Sequence, residues 1–446
     1  MRYLPRLAVG TIQPGAGDGV VWALLAALHL LDDAPVFFHD SCSFAVRDPS
    51  PVVLGRPGRH LDSWAMTRSD ALCAIARATT ERETALVAGA FDSARAAGAG
   101  TPASSLDKLA AWLDLPRVAV VDVAQLASRG IAGIPQCDAL LLDRVADARA
   151  AAYWQTTLEA LWKTPVLGWL EEAATLRAAC AAIAPGEQPS RDLCLALAQR
   201  LLPTLRIERL RALARRVPPL PVENDAWLTV SGNRRFRLAV AYDNVYAGYY
   251  PETLDLLEAA GADICDFSPQ RSEAIPDEAD IVYFGCGHPE TQPEALARNH
   301  CLMQSLRSFA ARGGRIYAEG SGAAYLCREM VLPDGRAVPM TGLLPATARC
   351  TGQPWTAEPA EIVFGASSWL APAHLALRGY RHSGWQLEPR GPLISYALDA
   401  RQRLDLIGRG NVIASRVLVN LAANRHLLRQ FFQPYVPVAG AVRRPG

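Results

Sequence analysis

The sequence predicts an α/β protein of two domains, each with a parallel sheet that carries helices on both faces. The chain has 446 residues, which is more than one hydrophobic core usually serves. Short apolar strands alternate with helical patterns in both halves, as in doubly wound sheets. A proline-rich stretch at 217–225 separates the halves. We therefore predict domains at 1–216 and 234–446, joined by a linker at 217–233.

The first half begins with a predicted strand at 6–11 and a strongly apolar helix at 19–31. That helix is only about three turns long, too short to cross a bilayer, so we interpret it as a core helix. Apolar strands and helical segments then alternate along the rest of this half. The predicted strands lie at 86–90, 117–123, 139–143 and 166–170, and the predicted helices lie at 106–113, 146–161 and 199–216.

The second half repeats this alternation. The predicted strands lie at 237–242, 263–267, 281–285 and 315–317, and the predicted helices lie at 249–260, 293–312 and 417–432. The segment 333–336, Pro-Asp-Gly-Arg, is typical of a hairpin turn. We expect mixed β structure between residue 361 and the last helix.

Composition and charge exclude several classes of function. The chain has 45 Lys and Arg against 44 Asp and Glu, so it lacks a basic excess for binding a polynucleotide. No uncharged apolar stretch reaches the length of a membrane span. The ten cysteines show no C-x-x-C pair and no metal-ligand spacing, so we expect reduced thiols and no metal site, with Cys301 and Cys327 in the core. These features favour a cytoplasmic protein that binds neither nucleic acid nor membrane.

A glycine-rich loop at 11–20 follows the first strand and precedes the first helix, where a phosphate-binding loop belongs. Gly15, Gly17 and Gly19 are the glycines expected of such a loop, but Asp18 stands in the position of its lysine. A carboxylate repels a triphosphate even at an intermediate dielectric constant. We therefore favour a turn capped by Asp18 over a nucleotide-phosphate site.

Four other side chains of the first half are candidate ligand contacts. Asp62 and Trp64 lie in the short run 59–66, for which a structural loop with Trp64 in the core is the simpler interpretation. Asp92 and Asp122 each follow an apolar strand, where α/β proteins place magnesium and substrate ligands. Because aspartate is equally common there as a helix N-cap, both alternatives stay open for this pair.

A strand-to-helix elbow at 315–326 is the most informative feature of the second half. Its strand ends in a tight Gly-Ser-Gly turn, a layout that presents a nucleophile in many hydrolases. The tip is Gly320, however, and Ser321 lies one position along with no histidine placed to activate it. Cys286 and His288 share one loop, but nothing identifies an orienting third group, so we do not predict a nucleophile–base pair there.

Taken together, several local motifs resemble the cobyrinate a,c-diamide synthases with their hydrogenobyrinate and nickel-sirohydrochlorin relatives. The matching stretches lie in both halves, at 61–66, 100–103, 120–122, 239–243, 267–269, 287–290, 342–345 and 379–381. The resemblance implies a P-loop-like first domain, similar to dethiobiotin synthetase, and a flavodoxin-type second domain similar to class I glutamine amidotransferases. It also implies an activity, in which acetate side chains of a tetrapyrrole are activated with ATP and amidated with ammonia from glutamine.

The departures from this family fall on its chemical residues. In the second domain Gly320 stands where the family has its nucleophilic cysteine, and Leu418 stands where it has its histidine base. Cys286, before Gly287, replaces a glycine of the oxyanion loop. Glutamine hydrolysis by the family mechanism needs a thiolate and its base.

The first domain departs from the family in the same way. Asp18 replaces the P-loop lysine, and Asp40 alone survives from the substrate-side segment. The Asn-Lys pair that helps to hold the nucleotide base appears as Asp143 and Arg144. Loss at three separate sites is hard to attribute to one shifted motif.

We therefore expect a catalytically silent relative that binds a tetrapyrrole or an active partner enzyme and uses no cofactor. One alternative is an active synthase that amidates a cobyrinate-, hydrogenobyrinate- or sirohydrochlorin-type tetrapyrrole with free or partner-supplied ammonia, using ATP and Mg²⁺. Another alternative is an oligomeric assembly subunit that pairs with an intact paralogue or with itself.

Overall fold

The structure, a computed structural model, describes residues 1–13, 18–44, 46–92, 104–129, 136–184, 186–221, 236–353, 356–398 and 404–432. They form two compact units. The first takes its residues from 1–224, 249–254 and 353–359, and the second from 225–248, 255–352 and 360–446. The predicted α/β class with parallel sheets is confirmed. The predicted linker at 217–233 lies largely outside the described residues.

A seven-stranded sheet forms the centre of the first unit. Its strands are β1 (Arg6–Thr11), β2 (Pro35–His39), β3 (Arg59–His60), β4 (Thr84–Ala90), β5 (Arg117–Asp122), β6 (Ala139–Val145) and β7 (Val166–Glu171). They pair in parallel in the order β3-β2-β4-β1-β5-β6-β7. The strand order reverses at β1, so a crevice opens beyond its carboxyl end.

Nine helices accompany this sheet in the described part of the first 221 residues. They are α1 (Asp18–Leu30), α2 (Ser50–Leu54), α3 (Arg68–Ala78), α4 (Leu106–Leu113), α5 (Val123–Arg129), α6 (Ala148–Trp162), α7 (Ala174–Ala182), α8 (Arg191–Leu201) and α9 (Ile207–Arg215). Helix α1 is buried from Gly19 to Leu28, which confirms its interpretation as a core helix. The single helix predicted at 199–216 is wrong, because a short 3-10 turn containing Pro203 separates α8 from α9.

From residue 236 onwards the chain contributes sixteen described strands. They are β8 (Phe236–Ala241), β9 (Tyr246–Gly248), β10 (Ala262–Phe267), β11 (Ile281–Phe284), β12 (Cys286–Gly287), β13 (Arg315–Glu319), β14 (Glu329–Val331), β15 (Ala337–Pro339), β16 (Ala346–Cys350), β17 (Ala357–Val363), β18 (Ala376–His382), β19 (Trp385–Pro389), β20 (Ile394–Leu398), β21 (Leu404–Arg409), β22 (Val412–Ser415) and β23 (Val417–Leu418). The helices are α10 (Pro251–Ala259), α11 (Pro293–Arg298), α12 (His300–Ala311), α13 (Gly322–Leu326) and α14 (Leu428–Phe432).

The main sheet of the second unit has the order β10-β8-β11-β13-β22-β21-β20. Its first five strands pair in parallel, and the last two pair antiparallel to their neighbours. Strands β14 and β15 form the hairpin predicted at 333–336, with Gly335 at a φ of +87°. The elbow is present, since β13 leads through Gly320 and Ser321 into α13.

Three further predictions need correction. The helix predicted at 417–432 is wrong at its start, because residues 417–418 form β23, which pairs with β18. The helix predicted at 293–312 is divided at Asn299, whose side chain accepts a hydrogen bond from the amide of Leu302 and so begins α12. The ten cysteines form no disulfides, but Cys301 is exposed rather than in the core, whereas Cys327 is buried. None of the described helices has the length and hydrophobicity that a membrane span requires.

Candidate functional site

A cavity of about 890 Å³ opens in the first unit where its parallel strands end. Residues at or just after the carboxyl ends of six neighbouring strands, β2, β4, β1, β5, β6 and β7, contribute to it, together with the start of α1 and helix α7. Ligands of doubly wound proteins bind at this edge of the sheet, where the strand order reverses. The charged residues of its wall are Asp18, Asp40, Arg47, Asp122, Arg144, Glu172 and Arg177.

The start of α1 forms one wall of the cavity. Asp18 is the first residue of α1, and its Oδ2 accepts a hydrogen bond from Arg47 Nη1 at 2.8 Å. The pair is partly exposed, with 57% of the Asp18 side chain and 30% of the Arg47 side chain accessible. A carboxylate at this position is stabilised by the positive end of the helix dipole. Gly19 lines the same wall, whereas Gly15 and Gly17 lie outside the described residues.

Ion pairs also cross the opposite wall. Arg144 donates to Asp122 Oδ2 at 3.3 Å and to Glu172 Oε1 at 3.2 Å, so it links the ends of three strands. Arg177 of α7 forms a two-pronged pair with Asp143, with Nη1 and Oδ2 2.8 Å apart. The Asp143 side chain is fully buried, and this burial raises its pKa although the Arg177 guanidinium opposes the shift. Asp143 and Arg144 thus both form ion pairs with other side chains of the protein.

Asp40 and Asp122 reach the cavity from different strands. Asp40 is 8% exposed, and a Cβ built on Gly89 would lie 2.1 Å from its carboxyl carbon, so the position of Asp40 requires the glycine. Asp122 Oδ1 accepts hydrogen bonds from the amides of Ala124 and Gln125 in the first turn of α5. Asp122 therefore combines both alternatives of the sequence analysis, because it caps a helix and also lines the cavity.

The remaining candidates of the first unit lie outside the wall of this cavity. Asp62 is buried and accepts hydrogen bonds from the amides of Cys42, Trp64 and Ala65. These bonds stabilise the local loop, so Asp62 has a structural role. Trp64 itself is partly exposed and does not occupy the core as expected. Asp92 is exposed and accepts a hydrogen bond from Ser105 Oγ at 2.9 Å.

At the elbow of the second unit, buried side chains pack against the tip residue Gly320. Gly320 has a φ of +54°, in the left-handed region that favours glycine. A Cβ built on Gly320 would lie 2.9 Å from Leu418 Cδ2 and 3.0 Å from Cys286 Sγ. Both of these side chains are buried. Leu418 and Cys286 thus fill the space beside Gly320, where the resemblance predicts a missing nucleophile.

The hydroxyl of Ser321 is committed to the neighbouring loop. Its oxygen accepts a hydrogen bond from the amide of Gly287 at 2.7 Å and donates one to the carbonyl of Gly287 at 2.7 Å. A Cβ built on Gly287 would lie 1.8 Å from the carbonyl oxygen of Val245, so this loop residue has to be glycine. Full burial raises the pKa of the Cys286 thiol and keeps it neutral. Neither side chain has the environment of an activated nucleophile.

Sequence reasoning missed Glu319, the residue before the elbow tip. Its carboxyl group is buried and accepts hydrogen bonds from Tyr283 Oη at 3.0 Å, from Tyr317 Oη at 2.7 Å and from the amide of Val419 at 3.3 Å. These donors favour the ionised carboxylate, but desolvation by burial is the larger effect and raises the pKa of Glu319 to about 8. The strand pattern of 315–319 indicates burial, but the two tyrosines that surround the carboxyl group are brought together by the sheet alone.

Comparison with known proteins agrees with the sequence motifs. Residues 237–406 match the family described as a CobB/CobQ-like glutamine amidotransferase domain. Over 461 residues the chain is 28% identical to the cobyrinate a,c-diamide synthase of Syntrophotalea carbinolica, covering 96% of this chain and 98% of that protein. This chain is therefore similar over nearly its whole length to a cobyrinate a,c-diamide synthase, and residues 237–406 match a CobB/CobQ-like glutamine amidotransferase domain.

Two further relatives are similar to most of the chain. The hydrogenobyrinate a,c-diamide synthase of Streptomyces coelicolor is 28% identical over 503 residues, with 96% of this chain and 97% of that protein covered. The protein of the same description from Thermobifida fusca is 29% identical over 413 residues, with 85% and 84% covered. The similarity of these family members therefore extends over both units of the chain.

The resemblance to these relatives implies ATP and Mg²⁺ as ligands of the first unit, and the charges of the cavity wall do not fit the triphosphate of ATP. Four carboxylates and three guanidinium groups line this wall. Each of the three guanidinium groups is ion-paired to a carboxylate. A nucleoside triphosphate would add further negative charge to a wall that already has an excess of carboxylates.

Proposed function

We propose that this chain is a non-catalytic member of the family that binds a tetrapyrrole. The observation that carries the proposal is the filled elbow. Gly320 offers no nucleophile, and Leu418 and Cys286 take the space beside it. Without a thiolate and its base, glutamine hydrolysis by an acyl-enzyme route loses many orders of magnitude in rate.

Neither neighbouring hydroxyl nor thiol replaces the missing cysteine in this proposal. The Ser321 hydroxyl donates its proton to the carbonyl of Gly287, accepts a hydrogen bond from the amide of Gly287 and lies 3.5 Å from Cys286 Sγ. Cys286 is buried, and its raised pKa keeps the thiol protonated near neutral pH. The amide of Gly287, which would polarise a substrate carbonyl in an oxyanion hole, already donates to Ser321.

The tetrapyrrole part of the proposal rests on the names of the relatives. Those names are cobyrinate a,c-diamide synthase and hydrogenobyrinate a,c-diamide synthase, and both tetrapyrroles are therefore the first ligands to test. A chain that had lost every role would accumulate substitutions in its core as freely as in its sites. Here both cores are well packed with buried apolar residues.

The test measures binding and hydrolysis in the same preparation. The purified full chain is titrated with cobyrinate, hydrogenobyrinate and sirohydrochlorin by absorbance and calorimetry, and glutamate release from glutamine is measured with and without ATP·Mg²⁺. We expect saturable binding of at least one tetrapyrrole and no glutamate above the protein-free rate. The Syntrophotalea carbinolica relative is the positive control for hydrolysis. Glutamate release by this chain, or the absence of binding to all three, overturns the proposal.

A second candidate function is amidation with free ammonia, in which the elbow plays no part. The observation that favours it is that Asp40 and Asp122 reach one cavity from two strand ends. Its test is ADP release with ammonium chloride and cobyrinate, with glutamine in place of ammonium as the control. ADP formation that requires both ammonium and the tetrapyrrole would replace the leading proposal with this one.

A further inference from the structure

We infer that the cavity of the first unit is self-occupied: the Asp18 carboxylate, held by Arg47, takes the place of an anionic ligand at the start of α1. The cavity therefore does not take a nucleoside triphosphate. This inference goes beyond the proposed function, which depends on the elbow of the second unit.

The start of α1 favours a negatively charged group. A helix of 13 residues presents unpaired backbone amides and a partial positive charge at its first turn, and this favours a negative group there. Asp18 supplies that negative group from within the helix. Arg47, on the loop after β2, contacts the same carboxylate at 2.8 Å. Asp18, which the resemblance places at the lysine position, thus carries the opposite charge, and its carboxylate forms an ion pair with Arg47.

Arg47 is the cation that pairs with Asp18 in the cavity wall. Its Nε atom is buried and has no hydrogen-bond partner among the described residues, and its Nη1 atom contacts the Asp18 carboxylate. Because Arg47 lines the cavity, release from Asp18 would leave a positive charge facing the cavity at the start of α1. In the Asp18–Arg47 pair, the Asp18 carboxylate thus occupies a position that an external anion could take.

Arg177 of α7 also lies close to the first turn of α1. Its Nη1 lies 3.9 Å from a Cβ built on Gly19, so this guanidinium also lies beside the start of α1. It is held there by the buried Asp143. Breaking this pair would leave a buried carboxylate without its cation, which is far more costly than breaking the partly exposed pair of Asp18. Asp18 is therefore the carboxylate whose removal opens the site at the lowest cost.

Arg144 is not available to bind a phosphate. Its guanidinium is shared between Asp122 and Glu172. An incoming triphosphate would have to displace these carboxylates or lie beside them with like charge. The cations of the wall are all neutralised by side chains of the protein itself, so the charge pattern disfavours any polyanion.

The experiment removes the internal carboxylate and measures anion binding directly. Wild-type protein, D18A, D18N and the double variant D18A/R47A are titrated with pyrophosphate and with ATP·Mg²⁺ by calorimetry and thermal shift. Wild-type protein is expected to show no saturable binding of either ligand. D18A and D18N are expected to bind pyrophosphate at least about tenfold more tightly than wild type, because Arg47 and the first turn of α1 become available. D18A/R47A is expected to lose this gain.

The matched control is D33A, which removes the carboxylate of another partly exposed Asp–Arg pair of the first unit, between Asp33 and Arg211. This variant is expected to behave as wild type towards both ligands. Saturable binding of ATP·Mg²⁺ by wild-type protein overturns the inference. So does a D18N variant that has the wild-type circular dichroism spectrum and melting temperature but gains no pyrophosphate binding. Nucleotide binding without glutamate release overturns this inference alone, whereas glutamate release overturns only the proposed function.

Discussion

Gly320 has a backbone conformation and a packing environment that both oppose a side chain. Its φ of +54° is strained for any L-residue. A Cβ there would also lie 2.9 Å from Leu418 Cδ2 and 3.0 Å from Cys286 Sγ, which is closer than van der Waals contact. A glycine at the elbow tip is thus a structural requirement of the side chains that surround it.

Restoring the cysteine alone is predicted to destabilise the second unit. G320C adds about 1 kcal/mol of backbone strain and about 1–3 kcal/mol of overpacking. The matched control is G410C, because Gly410 has a φ of +58° and no atom within 4 Å of a built Cβ. Urea unfolding of both variants measures the difference, which isolates the packing cost. In the C286G/L418A background, where both contacts are absent, G320C is expected to cost only its backbone strain, and equal stability of G320C and G410C would contradict the packing argument.

Glu319 is predicted to make stability fall as the pH rises. Its pKa is about 8 in the folded protein and 4.5 in its ordinary state, so the folded protein holds a proton that the unfolded chain releases between these values. The stability contribution is intact below pH 4.5, declines by up to about 1.4 kcal/mol per pH unit between the two values, and is constant above pH 8.

The variant E319Q tests this pH dependence. A neutral amide has nothing to titrate, so the difference in unfolding free energy between wild type and E319Q is expected to change steadily from pH 5 to pH 8. Urea unfolding at four pH values measures it. The same substitution at the partly exposed Glu329 is the control. A pH-independent difference for E319Q would show that the two tyrosine hydroxyls hold the carboxylate ionised throughout.

At the scale of elements, a buried ion pair joins β18 to β21. Arg381 donates from Nε to Asp405 Oδ1 at 2.7 Å and from Nη2 to Oδ2 at 2.6 Å, and the Asp405 side chain is fully buried. Strands β18 and β21 belong to different sheets. The pair therefore fixes the position of the strand that carries the resemblance motif at 379–381.

The variant D405N is predicted to destabilise the protein by about 3–5 kcal/mol, because it leaves the Arg381 guanidinium buried without its anion. D263N is the control, since Arg237 and Asp263 form a pair between β8 and β10 that is 36% and 42% exposed. Removing that exposed pair is expected to cost about 0–1 kcal/mol. Chemical unfolding of both variants measures the difference. Similar losses would mean that burial does not decide the contribution of the Arg381–Asp405 pair.

Local pattern predicted most strands of the two sheets and located their turns. It failed where long-range pairing or a single residue decided the element. The apolar run that begins at Val417 has helical spacing, but its first residues pair with β18, which lies far away in sequence. Strand β2 was missed although all five of its residues are buried, because its short run lacks the alternation of a half-buried strand.

At the scale of the whole molecule, charge balance sets the solution behaviour. The formal net charge is +1 at pH 7 and the pI of the sequence is about 7.6. A protein near zero net charge has little electrostatic repulsion between copies. We predict a minimum of solubility close to pH 7.6, with higher solubility at pH 6 and pH 9, measured by precipitation with ammonium sulfate. A solubility that rises monotonically with pH would contradict this.

The sequence by itself determined the α/β class, the predominantly parallel pairing of the two main sheets and the resemblance to the cobyrinate a,c-diamide synthases. Each of these depends on local periodicity or on the identity of single residues, which a sequence displays directly. The tertiary structure alone decided how the altered positions pack. Cys286 and Leu418 are distant in sequence yet both lie against Gly320, and Arg47 reaches Asp18 across 29 residues. Such pairings arise because sheet order brings separate strand ends together, and no local pattern encodes that proximity.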